Sequence, residues 1–213
     1  MHSILEKYEK GELSLFELNQ YYEDHFNEAI PHDAPPNKYV DIRQSYFDKG
    51  MDYLNNIDLD LEQQYEVLGV EKKVDFELFG KKFVGFIDLL VRDKTSEELI
   101  IIDHKSASIK ILKNGNISKS DQQHFLEFKR QLYLYSIPII KEYGPVSKLK
   151  WNMFKDQKWL EIPWKQEESD EAVQWVKDTL NLIENETMWT PSPDAYYCRY
   201  LCGQRNNACE YKA

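Results

Sequence analysis

The sequence predicts an α/β (α+β) chain, a central mixed β-sheet flanked by helices. Three observations carry this. Leu99 to Ile102 is an unbroken apolar run that enters Asp103-His104-Lys105, the pattern of a central strand buried on both faces. Phe83 to Val91 is a second strongly apolar strand, and the polar stretch Arg92 to Glu98 between the two reads as a hairpin loop. Asp121 to Tyr143 carries Phe125, Phe128, Leu132 and Tyr135 at helical spacing, so the sheet is followed by a long covering helix.

Residues 1–12 are polar and read as a short helix or a loose end. Ser14 with Glu17 three residues on forms a capping box. A helix then runs from about Leu15 to Ala29, until Pro31, Pro35 and Pro36 break it. A second helix is expected over about Lys38 to Asn55. Residues 64–79 alternate as a strand, with Phe79-Gly80-Lys81 as the turn into Phe83–Val91. Ile109 to Ser120 is a polar loop with a strong Asn114-Gly115 turn signal, suited to a short hairpin over a site. Pro138 should kink or end the long helix. Val146–Phe154 and Trp159–Pro163 read as a hairpin on the far side of the sheet. Residues 166–185 form an acidic amphipathic helix with Val173, Val176, Leu180 and Ile183 inward. Three regions follow: an N-terminal helical segment (1–60), a core (61–186) and a Cys-containing C-terminal tail (187–213).

The net charge of −10 argues against simple electrostatic binding of nucleic acid, but its distribution is uneven. Residues 104–158 hold 11 Lys or Arg against 4 Asp or Glu, while residues 1–103 hold 11 against 23. The basic excess begins at the Asp-x-Lys strand, where a phosphate backbone would need it. No apolar run is long enough to span a membrane. With no secretory leader pattern and only three cysteines, a reducing cytoplasm is the expected compartment.

Side chains alternate along a strand, so Asp103 and Lys105 share one face and His104 points away. The hairpin should bring Asp88 beside Asp103. Two carboxylates and a lysine on one face suit a hard divalent cation such as Mg²⁺.

The ordered set Gly85-x-x-Asp88, Ile102-Asp103-x-Lys105 and Gln131-x-x-x-Tyr135 resembles the PD-(D/E)XK nuclease superfamily, most closely its RecB-type and phage-exonuclease branch, over roughly residues 62–143. The resemblance implies a restriction-endonuclease-like core and a metal-dependent DNA nuclease, in exonuclease mode, for recombination, repair or phage DNA processing. It implies Mg²⁺ or Mn²⁺ on Asp88, Asp103 and the His104 backbone carbonyl, with Glu71 as a further ligand or a positioner of water. Lys105 is then the electrostatic catalyst, and Gln131 and Tyr135 orient it. The implied partners are DNA and a helicase, a single-strand annealing protein or another recombination factor. The branch also carries a histidine on an early helix near the metal. No Gly-x-x-x-His occurs here, and His25 and His32 fit that place poorly. An inactive nuclease-fold DNA-binding or regulatory subunit is the alternative.

Cys198, Cys202 and Cys209 cluster within 12 residues, which invites a metal. Some RecB-type nucleases close an iron–sulfur cluster there with a fourth, N-terminal cysteine. This chain lacks that fourth thiolate, so a zinc site with His25 is the other option. The remaining reading is three reduced, partly buried thiols left over from an ancestral site.

Overall fold

A computed structural model describes residues 1–30, 38–57, 61–200, 202, 204 and 209–211. The elements, in order, are helix α1 (His2–Glu9), a 3₁₀ turn (Leu15–Glu17), α2 (Leu18–Ala29), α3 (Ile42–Asn55) and the short α4 (Leu61–Gln64). Strands β1 (Tyr65–Leu78), β2 (Lys81–Asp93) and β3 (Leu99–Lys105) follow, then helix α5 (Gln122–Tyr143), strands β4 (Val146–Met153) and β5 (Lys158–Pro163), and helices α6 (Gln166–Asn185) and α7 (Ala195–Tyr200). None of the described helices is long and apolar enough to cross a membrane.

The five strands form one mixed sheet in the order β1-β2-β3-β4-β5. Tight hairpins make β1–β2, β2–β3 and β4–β5 antiparallel. Only β3–β4 is parallel, because the 22 residues of α5 intervene and return the chain to the same edge. Leu99 and Ile101 pack into the cluster that includes Leu132, Tyr133 and Ile139 of α5. Ile100 and Ile102 belong to a second cluster with Tyr65, Leu89 and Val91. Helices α1–α3 hold a third small core, built from Ile4, Leu5, Leu18, Tyr22, Phe26, Tyr53 and Leu54.

Two local expectations need correction. Pro138 does not end α5, which runs through it to Tyr143. Leu132, Tyr133 and Leu134 before it and Ile139 after it are all buried. That packing offsets the lost backbone hydrogen bond, a cost of about 3 kcal/mol. Ile183 is half-exposed rather than inward, since α6 buries Ser169, Ala172 and Val176 instead. The expected capping box is present, with the Ser14 N–H donating to the Glu17 carboxylate at 2.9 Å. The Asn114-Gly115 turn closes a one-bridge hairpin between Ile111 and Ile117.

One irregularity shapes the site. Val70 and Leu89 face one side of the sheet, yet Lys72 and Ile87, two residues along and paired with each other, contact the α5 side. Strict alternation would keep them on one face. The step is lost at Glu71 in β1 and Asp88 in β2, and Glu71 sits at φ 49°. A non-glycine residue in that left-handed region is strained by about 1–2 kcal/mol, and such residues concentrate at functional sites.

Candidate active site

The β2–β3 ladder ends at Leu89↔Ile102. One residue further on, a side chain takes over the pairing: the His104 N–H donates to Asp88 Oδ2 at 2.6 Å. This holds Asp88 next to Asp103, as the hairpin predicts. Asp103 and Lys105 continue the Leu99–Ile101 face, and the Lys105 ammonium lies 2.8 Å from Asp103 Oδ2. It also donates to Gln131 Oε1 of α5 at 2.8 Å and sits over the Phe128 ring. Gln131 in turn donates to the Tyr135 hydroxyl at a long 3.5 Å. The Tyr135 ring lies against β2 because Gly85 has no side chain. A Cβ there would stand 2.3 Å from the ring.

His104 points to the opposite face, where it is fully packed. Its Nε2 meets Glu9 Oε1 of α1 at 2.8 Å, and its Nδ1 meets the Asn152 amide at 3.0 Å. Asn152 also donates to the Tyr53 hydroxyl of α3 at 2.6 Å. The residue between the two functional side chains is therefore an anchor that ties the helical segment to the sheet.

The same helix α1 delivers a residue the sequence reading passed over. His2 Nε2 lies 2.5 Å from the His104 carbonyl oxygen and 3.9 Å from Asp88 Oδ2. Beside Asp88 stands His2 and not His25, whose Nδ1 bonds the Tyr21 carbonyl while its ring stacks on Tyr21. His32 lies outside the described residues. A signal was present: Ile4, Leu5 and Tyr8 are buried on α1 at helical spacing, which marks residues 2–9 as a docked helix rather than a loose end.

The electrostatics are those of crowded acid. Burial raises the Asp103 carboxyl above the usual range and Asp88 adds to the rise, with Lys105 opposing it. Burial likewise raises Glu71, with further upward push from Asp88 and Glu6 against His2 and Lys10. Glu71 therefore lies within the electrostatic reach of Asp88 and His2. Burial alone would lower the His104 imidazole, but the hydrogen bond and charge of Glu9, with Asp88 and Asp103 beyond, raise it overall.

Elsewhere the basic excess of 104–158 is partly spent on acids. Lys129 and Arg130 pair with Glu168 and Glu171 of α6, and Lys148 and Lys150 with Glu98 and Glu161. The cysteines are free and half-buried. Among the described residues they form no metal-holding group, with His25 or with one another.

A family model of the PD-(D/E)XK nuclease superfamily matches residues 1–213. Among solved structures, the chain is similar to a Eubacterium rectale protein provisionally described as an exonuclease, at 13% identity and a TM-score of 0.46, covering 90% of this chain and 75% of that one. It is also similar to a protein designated SSO0001, at 18% identity and a TM-score of 0.39, covering 92% and 81%. No curated protein matches it. A sheet that presents Asp88, Asp103 and Lys105 together, and a family match over the whole length, lead to one conclusion: the chain belongs to the PD-(D/E)XK nuclease superfamily.

Proposed function

We propose that this chain is a metal-dependent DNA nuclease that hydrolyses phosphodiester bonds, acting as an exonuclease. The observation that supports it most directly is the junction at His104. Its N–H fixes Asp88 and its carbonyl meets His2, while Asp103 and Lys105 flank it on the other face.

The donor set fits a hard divalent cation. Asp103 Oδ2 is buried and has no hydrogen bond of good geometry, although Lys105 is ion-paired with it. Asp103 and Asp88 together face the single Lys105 ammonium, so the pair keeps a net negative charge that a divalent cation would offset. Asp88, Asp103 and the His104 carbonyl would hold Mg²⁺ or Mn²⁺, with Glu71 and His2 alongside. Among the described residues no three acid, His or Cys side chains converge on a point. Such a cation, when bound, acidifies water and neutralises charge on the scissile phosphate.

The protein groups then have separable tasks. Lys105, held by Asp103 and Gln131, places its ammonium where negative charge builds on the phosphorane oxygens. Paired with the Asp103 carboxylate, it serves as an electrostatic group. Gln131 and Tyr135 fix the lysine rotamer. Glu71, raised by burial, is suited to accept a proton from the attacking water. The water oxygen joins phosphorus as the bond to the leaving oxygen breaks.

The test is cleavage of single- and double-stranded DNA in Mg²⁺, Mn²⁺ or EDTA by wild type, Asp103→Ala and Lys105→Ala. We expect metal-dependent cleavage by wild type and a loss of about 10²-fold or more in each folded variant. Full activity in either variant, or an inert wild type, overturns the reading. An inert wild type that still binds DNA would instead make the chain a regulatory subunit.

A further inference from the structure

Beside the catalytic cluster, α1, α2, α3 and the ends of β3 and β4 enclose a cavity of about 320 Å³. It shares His2 with the cluster and begins at Ser106, the residue after Lys105. The cavity therefore adjoins the cluster through His2. Three features describe the occupant. The walls carry aromatic rings, among them Tyr21 stacked on His25 and the half-exposed Tyr46. Two lysines, Lys49 and Lys155, are also in the lining, and Lys155 Nζ lies 5.8 Å from the centre of the Tyr46 ring. No Asp or Glu is among the described lining residues, in a chain with ten more acids than bases.

We propose that this cavity binds the terminal nucleotide of the strand being cut. The inference rests on the nuclease reading above and extends it to a subsite. Its volume is at the low end for ligand pockets, matching one nucleotide and not a length of duplex. Ring faces accept any base by stacking, and an ammonium set over a ring serves base and phosphate together. No carboxylate among the described lining residues adds the repulsion a phosphate would meet over most of this acidic surface. With the end nucleotide seated there, the phosphodiester that joins it to the strand lies at Asp88 and Asp103. The product is a mononucleotide.

The whole chain in EDTA is titrated calorimetrically with deoxyadenosine 5′-monophosphate, deoxyadenosine, deoxyribose 5-phosphate and inorganic phosphate, and its cleavage products in Mg²⁺ are sized. We expect the nucleotide to bind more tightly than either fragment or phosphate alone. Tyr46→Ala and Lys155→Ala should each weaken it about tenfold, the scale of one stacked base. Tyr46 is half-exposed, so its truncation opens no core, and circular dichroism checks the fold of both variants. Binding no tighter than phosphate, or unmoved by both substitutions, overturns the pocket while metal-dependent cleavage leaves the nuclease reading standing. Nucleotide binding that both substitutions weaken, without cleavage in any metal, keeps the pocket and removes that reading. First products longer than one nucleotide overturn the assignment to the strand end.

Discussion

His2 and Gly85 illustrate how single residues act through a neighbour's position. The His2 imidazole touches the His104 carbonyl and stands near Asp88, two of the three groups offered to a cation. His2→Ala should leave the fold intact, since the side chain is about half-exposed. It should raise the Mg²⁺ needed for half-maximal cleavage about 10- to 100-fold, the usual effect of losing a supporting ligand. Mn²⁺ binding followed by electron paramagnetic resonance should weaken in parallel. Gly85 acts by having nothing to offer. Its missing Cβ is the space in which the Tyr135 ring lies, and Tyr135 backs Gln131, which holds Lys105. Gly85→Ala should cost about 1–3 kcal/mol of stability by overpacking and lower cleavage as well. Adding Tyr135→Ala should restore the stability, measured by urea denaturation, without restoring the activity.

Helix α1 is the element on which the site depends most and the one least visible in the sequence. Its first residue reaches the site, and its last, Glu9, is buried against His104. Both contacts fall on one residue of β3, so the helix brackets the Asp-x-Lys strand from either end. Removing one partner of a buried charged pair leaves the other uncompensated, at about 3–5 kcal/mol. Glu9→Ala should show that loss in denaturant and should also disturb the metal response, because His2 moves with the helix. The pH dependence has a definite sign. The His104 imidazole is raised in the fold, chiefly against burial by Glu9. Its contribution is complete below the unfolded value of about 6.5 and is lost as pH climbs through the folded value. Stability should therefore fall as pH rises above about 6.5. Glu9→Gln should flatten that decline.

For the molecule as a whole, the site is a place where stability is given up. Asp103 and Glu71 are both raised, first by burial and then by Asp88. Their ionised forms at neutral pH are thus less favourable folded than unfolded. Asp103→Asn should raise the melting temperature of the protein in EDTA, by about 2–4 °C for each kcal/mol relieved, while removing cleavage. Mg²⁺ should raise the melting temperature of wild type by preferential binding to the folded state and do little for Asp103→Asn. A wild type more stable than Asp103→Asn in EDTA would show that the carboxylates are not frustrated.

The strands β1 to β3, the β4–β5 hairpin and helix α5 were legible because each has a strong local signal. These were continuous apolar runs, turn residues at the right spacing, and a helical stripe from Phe125 to Tyr135. The placing of Asp88 beside Asp103, and of Lys105 against Gln131, follows from those elements by alternation and pairing. Tertiary packing decided the rest. The lost alternation step at Glu71 and Asp88 has no local sequence mark, since backbone twist there answers to the opposing strand and to α5. The arrival of His2 required a polar segment to dock more than one hundred residues away in sequence. A short helix draws most of its stability from such docking, not from its own residues. Local patterns determined which residues could form the site, and long-range burial selected which of them meet.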